Sequence, residues 1–278
     1  MRENRAIQDG GSALDQPNPA ARRRLLSRRR EPLFVADWER VLMIHFEVDP
    51  DALQREVPFP LDLWEGRAFV SLVAFTMRGM RPAFGGRMAR AFFHLIGTHE
   101  FLNARTYVRH RGESGIYFLT EWLSNPLSVR LGPMTFGLPY KFARLNYVHP
   151  HEQSAIRGNA TTKVGRFAYA AELEPRSHFA ACAAGSPDEF LMERYTAFTA
   201  RNDQRRFFRV WHEPWPQVPV HARVIDKSLL TATWPWFAQA RLMGANYSPG
   251  VRDVQMGWPH HIGRRQRHRA LSHFFEMP

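Results

Sequence analysis

From about residue 67 onward the chain is written in short runs of β-branched and aromatic residues cut by Gly, Pro and Asn, and this pattern limits the fold more than any other feature. Nine runs read as strands: Arg67 to Met77, Asn103 to Arg109, Gly115 to Leu123, Lys141 to Val148, Ser154 to Thr162, Val164 to Leu173, Phe207 to Trp211, Val218 to Val224 and Val251 to Trp258. Arg111-Gly112-Glu113-Ser114-Gly115 reads as a hairpin loop, and Lys163 to Arg166 as a shorter turn. Helices are fewer. Asp49-Pro50 and Ser186-Pro187 each predict a helix start, with Pro in the first turn and acids at the positive dipole end. The second of these helices places Phe190, Leu191, Tyr195 and Phe198 near one face, and a third is expected over Leu229 to Leu242 despite Pro235. The pattern predicts a β-rich α+β fold of mostly antiparallel strands with a few covering helices.

A chain of 278 residues with 44% hydrophobic and 13% aromatic content buries enough surface for one large core. The net charge of +12 is concentrated at the ends. Residues 1–31 hold eight Arg against four acids and read as a solvated basic tail; residues 263–278 hold four Arg against one acid and read likewise. The body, 32–262, is the expected domain. Nucleic acid or another anionic surface is therefore a conceivable partner only through the tails. The longest apolar run, about Ala68 to Met77, is too short for a membrane span, and the first thirty residues have no signal-like apolar stretch. Cys182, alone among alanines, reads as a buried inert thiol. These features predict a cytoplasmic protein.

No nucleophile elbow, phosphate loop, dinucleotide-binding glycine motif or Cys-based zinc spacing occurs. His149 and His151 could share a strand face as metal ligands, but Pro150 between them favours a loop, and the adjacent His260 and His261 point to opposite faces. No metal and no cofactor are expected.

One constellation carries more information: His99 to Val108, Gly115 to Leu119, Phe136-Gly137-Leu138-Pro139-Tyr140, Phe190 to Tyr195, and Trp211-His212-Glu213-Pro214-Trp215-Pro216. In this order the elements resemble the uncharacterised YqjF-like family of the acetoacetate-decarboxylase-like superfamily, over about residues 33 to 262. The resemblance implies a barrel-like domain with an internal small-molecule site. Independently of it, strand alternation puts Asn103, Arg105 and Tyr107 on one polar face, where a guanidinium can hold a carboxylate and the amide and phenol can orient it. The competing reading pairs Arg105 with Glu121 or Glu100 as a structural ion pair.

The resemblance aligns Pro139-Tyr140-Lys141 with the Pro-Lys-Lys of acetoacetate decarboxylase, whose first Lys forms a Schiff base. Here Tyr140 stands at that position and Lys141 at the next, and consecutive strand residues face opposite ways. A Schiff-base decarboxylase is disfavoured. Tyr140 becomes the candidate proton donor, with Lys141 the remaining amine. The family acid falls at Phe101, with Glu100 beside it; Glu100 is an acid–base candidate only if a bulge turns it inward. His212 is a further ligand or acid–base candidate, with packing between Trp rings as the simpler reading, and Arg194 reads as an exposed helix arginine. Two functions follow from the resemblance: an enzyme with lyase- or hydrolase-like activity on a carboxylate or keto acid, or a non-catalytic binder of such an anionic small molecule.

Overall fold

The computed structural model describes residues 17–84, 93, 96–149, 155–174 and 176–262. In chain order they form helix α1 (Pro17–Leu26), strand β1 (Phe34–Val48), helix α2 (Pro50–Glu56), β2 (Ala68–Pro82), β3 (His99–His110), β4 (Glu113–Leu123), helix α3 (Pro126–Thr135), β5 (Tyr140–Phe142), β6 (Arg144–Val148), β7 (Ala155–Thr161) and β8 (Arg166–Glu172). Helix α4 (Pro187–Met192), β9 (Thr196–Arg201), β10 (Gln204–Trp211), β11 (Val218–Asp226), helix α5 (Ser228–Thr233), a 3₁₀ turn (Pro235–Gln239), β12 (Arg241–Met256) and β13 (His260–His261) complete it.

The hydrogen-bonded order is β13-β10-β9-β4-β3-β2-β1-β12-β11-β8-β7-β6, with β5 beside β4. A further pairing, Val210↔Met256 and Trp211↔Gln255, joins β10 to β12, so seven strands close into a ring. The expected barrel is thus a sheet ring sealed at one seam by two residue pairs. Most pairings are antiparallel, while β4 pairs in parallel with β5 and β9.

Two cores use the two faces of the same strands. Met43, Val73, Phe75, Phe101 and Tyr107 point into the ring. Their neighbours Leu42, Ile44, Leu72, Leu102 and Ala104 point outward, where Ile156, Ala160, Phe167 and Tyr169 of β7 and β8 cover them. This explains why Ala68 to Met77 is apolar without alternation: every residue in it is buried.

Both cap expectations hold. The Asp49 carboxylate accepts from Ala52 N at 2.7 Å, and Ser186 Oγ accepts from Glu189 N at 3.1 Å. The second helix is shorter than its pattern predicts, because Arg194 is drawn inward to Asp62 and β-forming Thr196, Phe198 and Thr199 then pair with β4 and β10. The third predicted helix breaks at Trp234 before Pro235, and the strand expected from Val251 begins at Arg241. β1 is a strand the pattern did not reveal.

The N-terminal tail also differs from expectation. Residues 17–26 form α1, whose Ala21 and Leu25 pack on Tyr195 and Trp211. Asn18 donates to Tyr195 OH (2.9 Å) and the His212 carbonyl (2.6 Å) and accepts from Trp211 Nε1 (3.2 Å). The Arg22 guanidinium lies 4.6 Å over the Trp211 ring. Partners nearly two hundred positions away supply the ordering energy that this polar segment lacks locally. Residues 1–16 and 263–278, the rest of the expected tails, lie outside the described residues.

Candidate functional site

The ring holds a partly open cavity of about 350 Å³. A register shift sets its polar lining. Along β3 the inward positions are the odd ones, His99, Phe101, Asn103 and Arg105. On β4 the pairing jumps from Ala104↔Thr120 to Arg105↔Phe118, so β4 carries one extra residue. That bulge changes the phase of β4: Ile116 and Phe118 face inward on one side of it, and Glu121 on the other. Without it, Glu121 and Phe118 would lie on opposite faces. Glu121 then stands between Asn103 on β3 and Tyr140 on β5, and the three form a row across neighbouring strands.

Tyr140 is fixed by its surroundings. Gly137 adopts a φ of 73° at the turn into β5, a left-handed conformation that suits glycine. Gly132 of α3 lies so close to the Tyr140 ring that an added Cβ would fall 2.2 Å from it. The ring also meets Phe101 edge-on at 5.9 Å.

Burial shapes the chemistry of each group. Desolvation holds the Glu121 carboxyl well above the usual carboxylate range, and its Oε2 has no hydrogen-bond partner. The Tyr140 phenol is held well above 10, by burial first and by Glu121 second. His212 is lowered to about 4 by burial; its Nδ1 lies 2.7 Å from the Glu213 carbonyl, which assigns the proton to Nδ1 and leaves Nε2 as an acceptor. His99 is likewise lowered to about 4 by burial, against a weaker backbone interaction with Ile96, and neither ring nitrogen makes a well-formed hydrogen bond.

Arg105 is the group that most needs explaining. It is 7% exposed, donates from Nη2 to the Leu191 carbonyl at 3.0 Å, and leaves Nε without a partner. Neither Glu121 nor Glu100 forms an ion pair with it, and among the described residues no carboxylate lies within 4.0 Å. Glu193, whose carboxyl feels the Arg105 charge, is committed to Trp215 N at 2.9 Å and to the Tyr195 hydroxyl. A buried cation without a counter-ion is costly unless something anionic completes it.

Five residues singled out from the sequence sit elsewhere. Glu100 occupies an outward position of β3 and contacts Ser124 at 3.4 Å, because the bulge lies in β4 and does not rephase β3. Lys141 is exposed on the face opposite Tyr140. Tyr107 points inward but away from the cavity lining, donating to the Leu191 carbonyl at 2.8 Å and meeting Ser71 Oγ. His149 is buried between the Arg40 carbonyl and Tyr169 OH, both at 2.8 Å, and His151 lies outside the described residues. Cys182 is half-buried, its thiol pushed up to about 12 by burial and then by nearby acids. Arg194, expected on the surface, lines the cavity and pairs with buried Asp62 at 2.9 Å. His212 packs on Trp215 (4.8 Å), Tyr195 and Trp38, not between the two Trp residues of its own motif.

Sequence reasoning missed His99, Trp38 and Trp215. The odd-position parity of β3 signals His99. Trp38 lay hidden because β1 carries mixed polarity, and Trp215 stands in a loop that only the ring closure brings to the cavity.

Residues 35–252 match the DUF2071 family, described as an uncharacterized conserved protein. The uncharacterized protein YqjF of Bacillus subtilis (strain 168) is 32% identical over 191 residues, covering 64% of this chain and 72% of its own. Among solved structures, the acetoacetate decarboxylase of Legionella pneumophila is 13% identical with a TM-score of 0.58, over 83% of this chain and 87% of that one. An acetoacetate-decarboxylase-like enzyme from Sphingomonas wittichii RW1 gives 13% and 0.61, over 84% and 95%. The enduracididine biosynthesis enzyme MppR, complexed with pyruvate, gives 11% and 0.57, over 84% and 91%. At these identities the structural likeness is one of fold, whereas the family match spans most of the chain: this protein is a member of the DUF2071 family, built on an acetoacetate-decarboxylase-like fold.

Proposed function

We propose that the ring cavity binds a small carboxylate-bearing molecule, a keto acid among them, through Arg105 and without a Schiff base. The observation that carries this reading is the buried Arg105 guanidinium, which has no ion-pair partner among the described residues, at the wall of a cavity. Beside the guanidinium, the carboxyl and phenol of Glu121 and Tyr140 in the neighbouring row give this wall several donors, which suits an acceptor such as a carboxylate or a keto oxygen. In this reading protonated Glu121 or Tyr140 gives a proton to a bound ligand, so conversion as well as binding falls to this pair. Pyruvate in the complex of MppR is consistent with such a ligand class.

Covalent amine chemistry has no support in the side chains. The chain contains three lysines, Lys141, Lys163 and Lys227, and none lines the cavity. Lys141 has the phase opposite to Tyr140, and Lys227 Nζ donates to the Ala238 carbonyl at 2.9 Å.

The test pairs binding with trapping. Calorimetric titration with pyruvate and acetoacetate is expected to show binding in the native protein, about tenfold or greater weakening in Arg105→Lys, and loss in Arg105→Ala. Borohydride with acetoacetate should leave the mass unchanged. A borohydride adduct that disappears in Lys141→Ala would overturn the non-covalent reading, and unaltered binding in Arg105→Ala would overturn the anchor.

A further inference from the structure

The cavity is unequal along its length, and the inequality says what the ligand carries behind its acid group. Along β3, Arg105 and Phe101 are four residues apart, about 13 Å at strand rise. Next to Arg105 on the same face of β3 comes Asn103, paired in register with Glu121 of β4. At the other end Phe101 stacks on Phe75, with centroids 5.1 Å apart and planes at 8°, and Phe75 meets Trp38 at 5.5 Å. Met77, Met80 and Ile96 fill out that end. His99 lies there as well, but its lowered pKa of about 4 keeps the ring neutral, and it packs on Phe101 at 4.6 Å like another aromatic.

Charge follows the same division. Of the cavity-lining side chains, Arg194 is neutralised by Asp62, while burial favours the protonated carboxyl of Glu121. Among the described residues this leaves Arg105 as the one lining cation outside ion-pair distance of an acid, at one end of an apolar chamber. A small polar acid bound there would leave the aromatic walls against water, and burying those walls is favourable at about 25 cal/mol per Å².

We propose that the ligand is an amphiphilic carboxylate, an acid group on an alkyl or aryl body, with the acid at Arg105 and the body against the wall of Phe75, Phe101 and Trp38. This rests on the carboxylate reading above and specifies its substrate class. At the ~30 Å³ that one water molecule occupies in the liquid, a 350 Å³ cavity holds on the order of ten non-hydrogen atoms. Octanoate and 3-phenylpropionate are of that size; acetate and pyruvate are about half of it or less.

Calorimetric titration of the native chain with acetate, butyrate, hexanoate, octanoate and 3-phenylpropionate tests the class, with 1-octanol as the uncharged control. Each buried methylene contributes about 0.8 kcal/mol, so affinity is expected to rise about fourfold per methylene up to octanoate, with 3-phenylpropionate near the top of the series. Octanol should bind at least tenfold more weakly than octanoate, and Arg105→Ala should remove that preference. Equal affinity for butyrate and octanoate, with the preference for the acid intact, would overturn the amphiphile and leave the carboxylate anchor standing. Octanol binding as tightly as octanoate would overturn the anchor and leave an apolar chamber. Absence of binding across the whole series would overturn both.

Discussion

Lowering the pH from 7 to 5 should cost this protein a large part of its folding free energy. Among the described residues four histidines are buried: His45 is lowered to about 3, and His99, His149 and His212 to about 4, burial being the largest cause in each. The unfolded chain takes up a proton on each ring near 6.5, while the folded chain refuses it until about 4 or below. These contributions to stability are therefore fully present above 6.5 and are lost as pH falls through the window from 6.5 to about 4. At pH 5 each ring has forfeited about 2 kcal/mol, so the four together forfeit about 8 kcal/mol, comparable with the whole stability of an ordinary domain. Glu121 and Glu193, whose carboxyls are raised by burial, act in the opposite direction: they favour the folded state as pH falls and offset part of the loss. Urea unfolding followed by tryptophan fluorescence at pH 7, 6 and 5 gives the total. His149→Gln isolates one ring, since its own loss between pH 7 and 5 should be smaller than the native protein's by about 2 kcal/mol, whatever its stability at pH 7. A native protein with the same stability at pH 7 and 5, or a variant with an undiminished pH dependence, would refute the argument that these rings are neutral in the fold.

Other expectations concern single side chains. Asp62→Asn strands the buried Arg194 guanidinium, and the melt should reveal a loss of about 3 to 5 kcal/mol, because a buried charge left alone costs far more than a surface pair is worth. Gly132→Ala should displace Tyr140 rather than unfold the protein, so a crystal structure of the variant is expected to show the ring moved and calorimetry to show weaker ligand binding. Glu121→Gln removes a group whose burial penalises ionisation; its stability should fall less steeply than the native protein's when the pH is raised above the ordinary carboxylate range. Asn18→Ala leaves Trp211 Nε1 without its hydrogen-bond partner and should cost about 1 to 2 kcal/mol, with proteolysis within α1 becoming faster.

Strand content, the two helix caps and the inward parity of β3 follow from residue order alone, because they depend on neighbours two to four positions away. Alternation places Asn103 and Arg105 together, and the same rule separates Tyr140 from Lys141. Tertiary pairing decided the rest. A single extra residue in β4 turns Glu121 into the cavity beside Asn103 and Tyr140, and nothing in Leu119-Thr120-Glu121 announces where an unpaired residue will sit. Thr196 to Arg201 became a strand through partners on β4 and β10, against a helical pattern continuing from Phe190. The basic segment from Pro17 became a helix because Trp211 and Tyr195 meet it from far along the chain. Most telling is Arg105: its side chain and face are legible in the sequence, but its lack of an acid partner among the described residues is a property of the closed ring, since only the assembled surroundings determine which charges a buried guanidinium can reach.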